Sequence, residues 1–127
     1  GEDDAIFGRC REFVESMPFG LMHVFSYSPR PGTPAAEWER PSARDAAFRE
    51  GILLELAARK ARAFAESQLG AELEVLVESG AGAPHGWTDN YLKAVFSREN
   101  PPPPGTLCCG RITNVLPGTE REVTAEI

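Results

Sequence analysis

The hydrophobic period of this chain changes at Gly70, and that change constrains its fold more than any other feature. Before it, Phe48, Ile52, Leu53, Leu56 and Phe64 recur at helical spacing. After it, Glu72-Leu73-Glu74-Val75-Leu76-Val77-Glu78 alternates, with Leu73, Val75 and Val77 on one face and glutamates on the other. A helical pattern does not settle as a strand, nor the reverse, so the chain is α+β with a helix before Gly70 and strands after it. Ser42 can cap that helix, with Asp45 in its first turn.

Downstream, Leu92, Ala94 and Phe96 alternate with Tyr91, Lys93 and Val95. Leu107 to Val115 reads as a further strand, and Val123, Ala125 and Ile127 alternate in the last one. Between them, Ser79 to Gly86 reads as turn material, Asn100 to Gly105 with its four successive prolines as a stiff loop, and Pro117-Gly118 as a turn. Several short strands in one stretch predict a small antiparallel β-barrel, because closure removes exposed strand edges.

At the other end, Asp3 or Asp4 can cap a helix whose apolar residues Ile6, Phe7, Cys10, Phe13, Val14 and Met17 share a face. Pro18 and Gly20 stop it, and the apolar run Leu21 to Phe25 reads as a buried strand. Helix then strand is half of a βαβ unit, and its partner strands are missing from the sequence. With Gly1 in place of an initiator methionine, this points to a piece of a longer protein, in which a severed edge invites dimerisation or swapping. From Pro29 to Pro41 the chain is rich in Pro, Gly and Ala around Trp38, an ordered excursion and not a flexible linker.

Composition narrows the function classes. The 127 residues are 42% apolar, enough for a core, and no window approaches a membrane span. The formal charge is −6, and residues 71–127 hold 4 basic against 8 acidic side chains, so this part should bind a polyanion weakly by itself. The basic Arg59, Lys60 and Arg62 read as a solvated helix face. Cys10, Cys108 and Cys109 have no metal-ligand spacing and read as small residues of a reduced, cytoplasmic protein.

Two stretches carry a family resemblance. His23-Val24-Phe25-Ser26-Tyr27-Ser28-Pro29-Arg30-Pro31-Gly32-Thr33-Pro34-Ala35-Ala36 resembles the HVFPYSxRxGTPAA stretch of radical SAM methylthiotransferases, with Ser26 where proline is common. Gly86-Trp87-Thr88-Asp89-Asn90-Tyr91-Leu92-Lys93 is similar to the GYTDNYLKV segment of that family's C-terminal TRAM domain, a small RNA-binding barrel of OB-like type. Gly1-Glu2 and the acidic pair after it look like the end of the family's GFPGET segment. The segment after Phe96 is shorter and richer in proline than the family pattern.

The resemblance implies three parts. Residues 1–40 would be the last helix-strand portion of a radical SAM, TIM-like partial barrel, 41–70 a connecting helix, and 71–127 the TRAM-like RNA-binding β-barrel. The parent would be a tRNA methylthiotransferase acting on C2 of N6-threonylcarbamoyladenosine, or a related modified adenosine, beside the anticodon. It would use S-adenosylmethionine and two [4Fe-4S] clusters. The cluster-binding CxxxCxxC motif is not in this sequence, so the fragment would hold no metal or cofactor and no catalytic residue, and would be inactive without the missing N-terminal domains.

By the same resemblance, Ser26, Tyr27 and Arg30 would face the cofactor and substrate cavity. Arg30 is a rim cation or a loop brace, Tyr27 stacks on a base or packs under its loop, and His23 reads as a core histidine. Trp87, Asn90, Tyr91 and Lys93 would contact the tRNA anticodon stem-loop by stacking, edge reading and phosphate pairing. Structural roles compete there too: Asp89-Asn90 is ordinary turn chemistry, and Trp87 could plug the barrel end. The rival readings are a free-standing TRAM-type RNA-binding module and an acidic protein-interaction adaptor.

Overall fold

A computed structural model describes residues 1–80, 82–96 and 102–127. They form two compact units, Gly1–Lys60 and Ala61–Ile127. Among the described residues no helix is long and apolar enough to cross a membrane.

In the first unit, helix α1 spans Asp4–Ser16. Asp3 is its cap, accepting the Ile6 N–H at 2.7 Å and satisfying one of the orphan donors of the first turn. Helix α2 spans Ala43–Ser67, continuing past the end of this unit. Its first turn is closed by Ser42, whose hydroxyl accepts the Asp45 N–H at 3.1 Å and donates to the Asp45 carboxylate at 2.7 Å. Both helix starts therefore lie where the capping residues place them.

The two helices of this unit are tied by Arg49, which is only 8% exposed. One of its nitrogens donates to the Glu2 carbonyl and carboxylate, both at 2.9 Å, and the other to Asp4 at 2.8 Å. Its guanidinium also lies 5.4 Å from the centre of the Phe7 ring. Farther along, Glu15 accepts from Arg59 at 2.6 Å and, through its carbonyl, from Lys60 at 2.8 Å. Two members of the basic run are thus helix-to-helix ties.

The expected strand Leu21 to Phe25 is not one: these residues have no regular structure. A strand needs a neighbour to satisfy its N–H and C=O groups, and the described residues of this unit contain none. For the same reason the expected apolar face of α1 is largely open. Phe7 is buried, but Phe13 is 62% exposed, as Phe25 is 84%. The excursion after Pro29 is ordered by turns. Pro31-Gly32 sits between the Arg30 carbonyl and the Thr33 N–H, 3.3 Å apart, with Gly32 at φ +80° as a type II turn requires. A short 3₁₀-helix, Pro34–Glu37, follows.

The second unit is a closed five-stranded barrel of order β1-β2-β3-β5-β4. Its strands are β1 (Glu72–Glu78), β2 (His85–Thr88), β3 (Lys93–Phe96), β4 (Leu107–Val115) and β5 (Glu122–Glu126). Four pairings are antiparallel, but β3 and β5 run parallel, which corrects the wholly antiparallel barrel expected from sequence. Alternation within a strand tells which side chains point inward and nothing about the direction of a neighbour. Thr113 is an extra residue in β4 opposite β5, a bulge of the kind that helps a small sheet curl shut.

The core holds Val75, Val77, Leu92, Ala94, Phe96, Ile112, Val115, Val123 and Ala125, joined by Ala65 from the last turns of α2. Burying each Val, Leu, Ile or Phe side chain contributes about 1.5–3 kcal/mol, so the barrel interior dominates this unit's stability. β2 corrects the reading of Ser79 to Gly86 as turn material: His85 and Gly86 pair with β1 on one side and β3 on the other. The turn Pro103 to Thr106 closes on Gly105 at φ +82°, while Asn100, Pro101 and Ala81, which belong to the expected loops, lie outside the described residues.

Candidate functional site

The β2–β3 connection carries two of the four barrel residues singled out in the sequence, Asn90 and Tyr91, and the strands it joins bring Trp87 and Lys93 opposite each other beside it. It is a tight loop, Asp89-Asn90-Tyr91, held by the buried Thr88. The Thr88 hydroxyl accepts the Leu92 N–H at 2.8 Å and donates to the Asn90 side-chain oxygen at 2.7 Å, and the Tyr91 N–H reaches the Thr88 carbonyl at 3.0 Å. This is a type I turn followed by a left-handed residue, a common three-residue hairpin. The left-handed position is usually glycine; here it is Tyr91 at φ +65°.

The loop therefore holds a 71% exposed aromatic ring on strained backbone. Beside it, Trp87 is half-buried on the outside of β2. Its indole N–H donates to Glu78 at 3.0 Å, which fixes the ring's orientation, and the Arg121 guanidinium lies 6.0 Å from the ring centre. Arg121 also donates to the Tyr91 carbonyl at 3.3 Å. Arg121 was not singled out in the sequence. It is 34 positions from Trp87 and becomes its neighbour only when β5 joins β3.

The other two residues are more occupied. The Asn90 side chain accepts from Thr88 and donates to Gln68 at 3.0 Å, so both ends of its amide serve the loop. Lys93, registered opposite Trp87, has its ammonium 2.8 Å from Glu122.

In the first unit, Tyr27 lines an open cleft of about 420 Å³ with Ile6, Ala35, Trp38 and Pro41. Trp38 is thus a second aromatic wall that the loop's composition alone did not identify as part of a site. Ser26 is turned to α2, donating to Glu50 at 2.5 Å. Arg30 is exposed, and the described residues give its side chain no partner. The three residues expected to act together are therefore not brought together: Ser26 is bonded to α2, Tyr27 lines the cleft and Arg30 is exposed.

The thiols do not converge. Cys10 is exposed on α1, and on β4 Cys108 and Cys109 point to opposite sides of the sheet, half-buried and exposed respectively. An iron–sulfur cluster needs several thiolates around one point, and this donor set does not fit one. Burial foremost, and the neighbouring Cys109 charge second, push the Cys108 thiol above its ordinary pKa. A raised pKa leaves less thiolate near neutral pH, so Cys10 and Cys109 should alkylate with iodoacetamide before Cys108 does. Raising the pH should narrow that gap; peptide mass mapping of a time course checks both statements.

No family model matches the chain. Over 130 aligned residues, covering 98% of this chain, it is 36% identical to the tRNA-2-methylthio-N(6)-dimethylallyladenosine synthase of Paracoccus denitrificans. The synthase of that name from Cereibacter sphaeroides is 36% identical over 89% of the chain. The threonylcarbamoyladenosine tRNA methylthiotransferase of Thermotoga maritima is 36% identical over 76% of it. The aligned stretch is 28%, 26% and 23% of these three proteins, so the chain spans about a quarter of the length of the curated relatives it matches. By that similarity along nearly all of its residues, the chain belongs to the tRNA methylthiotransferases, as a segment matching a C-terminal part of such an enzyme.

Proposed function

We propose that these 127 residues are the tRNA-holding part of an enzyme that methylthiolates C2 of a hypermodified adenosine beside the anticodon, in the cytoplasm. The observation that carries the reading is the match to a named tRNA methylthiotransferase over 98% of the chain. The barrel supports the division of labour. Its order and its β3–β5 parallel pair suit an OB-like, TRAM-type module, a fold class in which the outer face of strands 2 and 3 and the adjoining loops take single-stranded nucleic acid. Trp87 and Tyr91 occupy that face and offer the ring surfaces on which unpaired bases stack. Asn90 supports this surface by fixing the loop.

The parent's S-adenosylmethionine and [4Fe-4S] chemistry is assigned to residues outside this segment, since its thiols cannot assemble a cluster. In the first unit, the Tyr27–Trp38 cleft is the surface that would adjoin the cofactor and substrate cavity, with Arg30 at its rim loop.

For the nucleoside, the segment Gly86 to Lys93 and the His23-Val24-Phe25 opening favour N6-threonylcarbamoyladenosine. The wide-coverage matches to dimethylallyladenosine synthases favour the second reading, a dimethylallyl substrate. Mass analysis of tRNA nucleosides from a strain lacking the gene decides. Loss of the methylthio group from threonylcarbamoyladenosine alone is expected. Its loss from dimethylallyladenosine would establish the second reading, and unchanged nucleosides would remove both.

A further inference from the structure

Resting on the reading of the barrel as an RNA-holding module, we propose that Arg121 is the residue that meets the RNA phosphate, and that Lys93 is not. Among the described residues of this unit, three cations are already paired: Arg62 with Glu66 at 2.9 Å, Lys93 with Glu122 at 2.8 Å, and Arg111 with Glu72. Arg121 has no carboxylate partner among them. A paired ammonium offers an approaching phosphate almost no net field, and releasing it strands a carboxylate on the binding face.

The position of Arg121 matters as much as its charge. It lies over the Trp87 ring, 6.0 Å from its centre, and reaches the backbone of the second aromatic residue, 3.3 Å from the Tyr91 carbonyl. If successive bases stack on Trp87 and Tyr91, the phosphate linking them passes the guanidinium. That group has five N–H donors, and the Tyr91 carbonyl occupies one. The remaining fork suits two phosphate oxygens at once, which a lysine does not match. Arg121 is held at the start of β5 by the turn at Pro117-Gly118, where Gly118 has φ +75°, and by the bond from the Lys93 N–H to its own carbonyl at 3.0 Å.

The experiment titrates the 127-residue chain with a synthetic anticodon stem-loop at several KCl concentrations. A Trp38→Phe background makes Trp87 fluorescence the signal. Each phosphate neutralised on a single strand steepens the slope of log K against log[salt] by about 0.7. Arg121→Gln is expected to flatten the slope by about that amount and to weaken binding several-fold at low salt. The charge-balanced Lys93→Gln/Glu122→Gln pair should leave the slope unchanged and the affinity within about twofold. An unchanged slope in Arg121→Gln with a flatter one in the pair overturns the assignment and leaves the RNA reading standing. No saturable quench in the parent chain overturns both. A second measurement does not depend on the variant folding: in a methylphosphonate scan of the stem-loop against the parent chain, one uncharged linkage should flatten the slope. If no single linkage does, the one-contact assignment fails.

Discussion

Gly86→Ala is expected to remove a large share of the barrel's stability, while Gly110→Ala, another buried glycine of the same sheet, is tolerated. A Cβ on Gly86 would stand 2.4 Å from the Leu76 carbonyl oxygen and 2.8 Å from a Val75 methyl. The first of these is backbone of the paired strand, so relief requires β1 and β2 to separate and give up ladder bonds. Overpacking of this kind costs up to about 3 kcal/mol or more. A domain of this size is stable by only about 3–10 kcal/mol, so the loss is a large share of the total. At Gly110 the nearest atoms are Ala125 Cβ at 3.3 Å and a Val75 methyl at 3.4 Å, contacts that a shift of only a few tenths of an ångström would relieve. About 1 kcal/mol or less is expected there. Urea denaturation followed by Trp87 fluorescence in the Trp38→Phe background compares them. Equal midpoints for the two variants would show that β2 does not approach β1 as closely as this.

The same glycine explains why β2 was invisible in the sequence. Its inward positions are Gly86 and Thr88 and its outward ones His85 and Trp87, so the strand carries no apolar alternation to detect. β1, β4 and β5 were legible because Val75, Val77, Ile112, Val123 and Ala125 line one face at period two. The helices were legible from Asp3 and Ser42, whose side chains do what capping predicts. The strand expected at Leu21 to Phe25 failed on a different ground. An apolar run states that a segment wants burial, and only a neighbouring strand makes it β.

Within the candidate site, residue types were legible and their partners were not. Trp87 and Tyr91 could be picked out as aromatic residues in a turn-rich segment. That Glu122 holds Lys93, that Gln68 holds Asn90, and that Arg121 sits beside Trp87 depends on registers 22 to 34 residues apart in the chain. No local pattern encodes them. The left-handed backbone of Tyr91 is a related case: a three-residue hairpin loop predicts such a position, but only the register of Thr88 with Leu92 shows which residue occupies it.

Trp87→Ala and Tyr91→Gly should both abolish most of the RNA affinity and should shift stability in opposite directions. Each removes one stacking surface, and loss of a stacked base is worth about 1–3 kcal/mol, or roughly 10- to 100-fold in Kd. Trp87 is half-buried and bonded to Glu78 at 3.0 Å, so its truncation also uncovers the outside of β2 and leaves that carboxylate without its donor. Tyr91 is different, because its ring is mostly exposed and its backbone at φ +65° costs a non-glycine residue about 1–2 kcal/mol. Glycine relieves that strain but orders from a more flexible unfolded chain, so a net gain of about 1 kcal/mol is expected. Thermal unfolding and stem-loop titration of the two variants test the pair. If Tyr91→Gly is both less stable and fully binding, the strained loop is part of the barrel's own packing and does not present a ring to RNA. If it is more stable and binds poorly, the chain keeps a backbone conformation that weakens its fold because the side chain held there has a partner outside it.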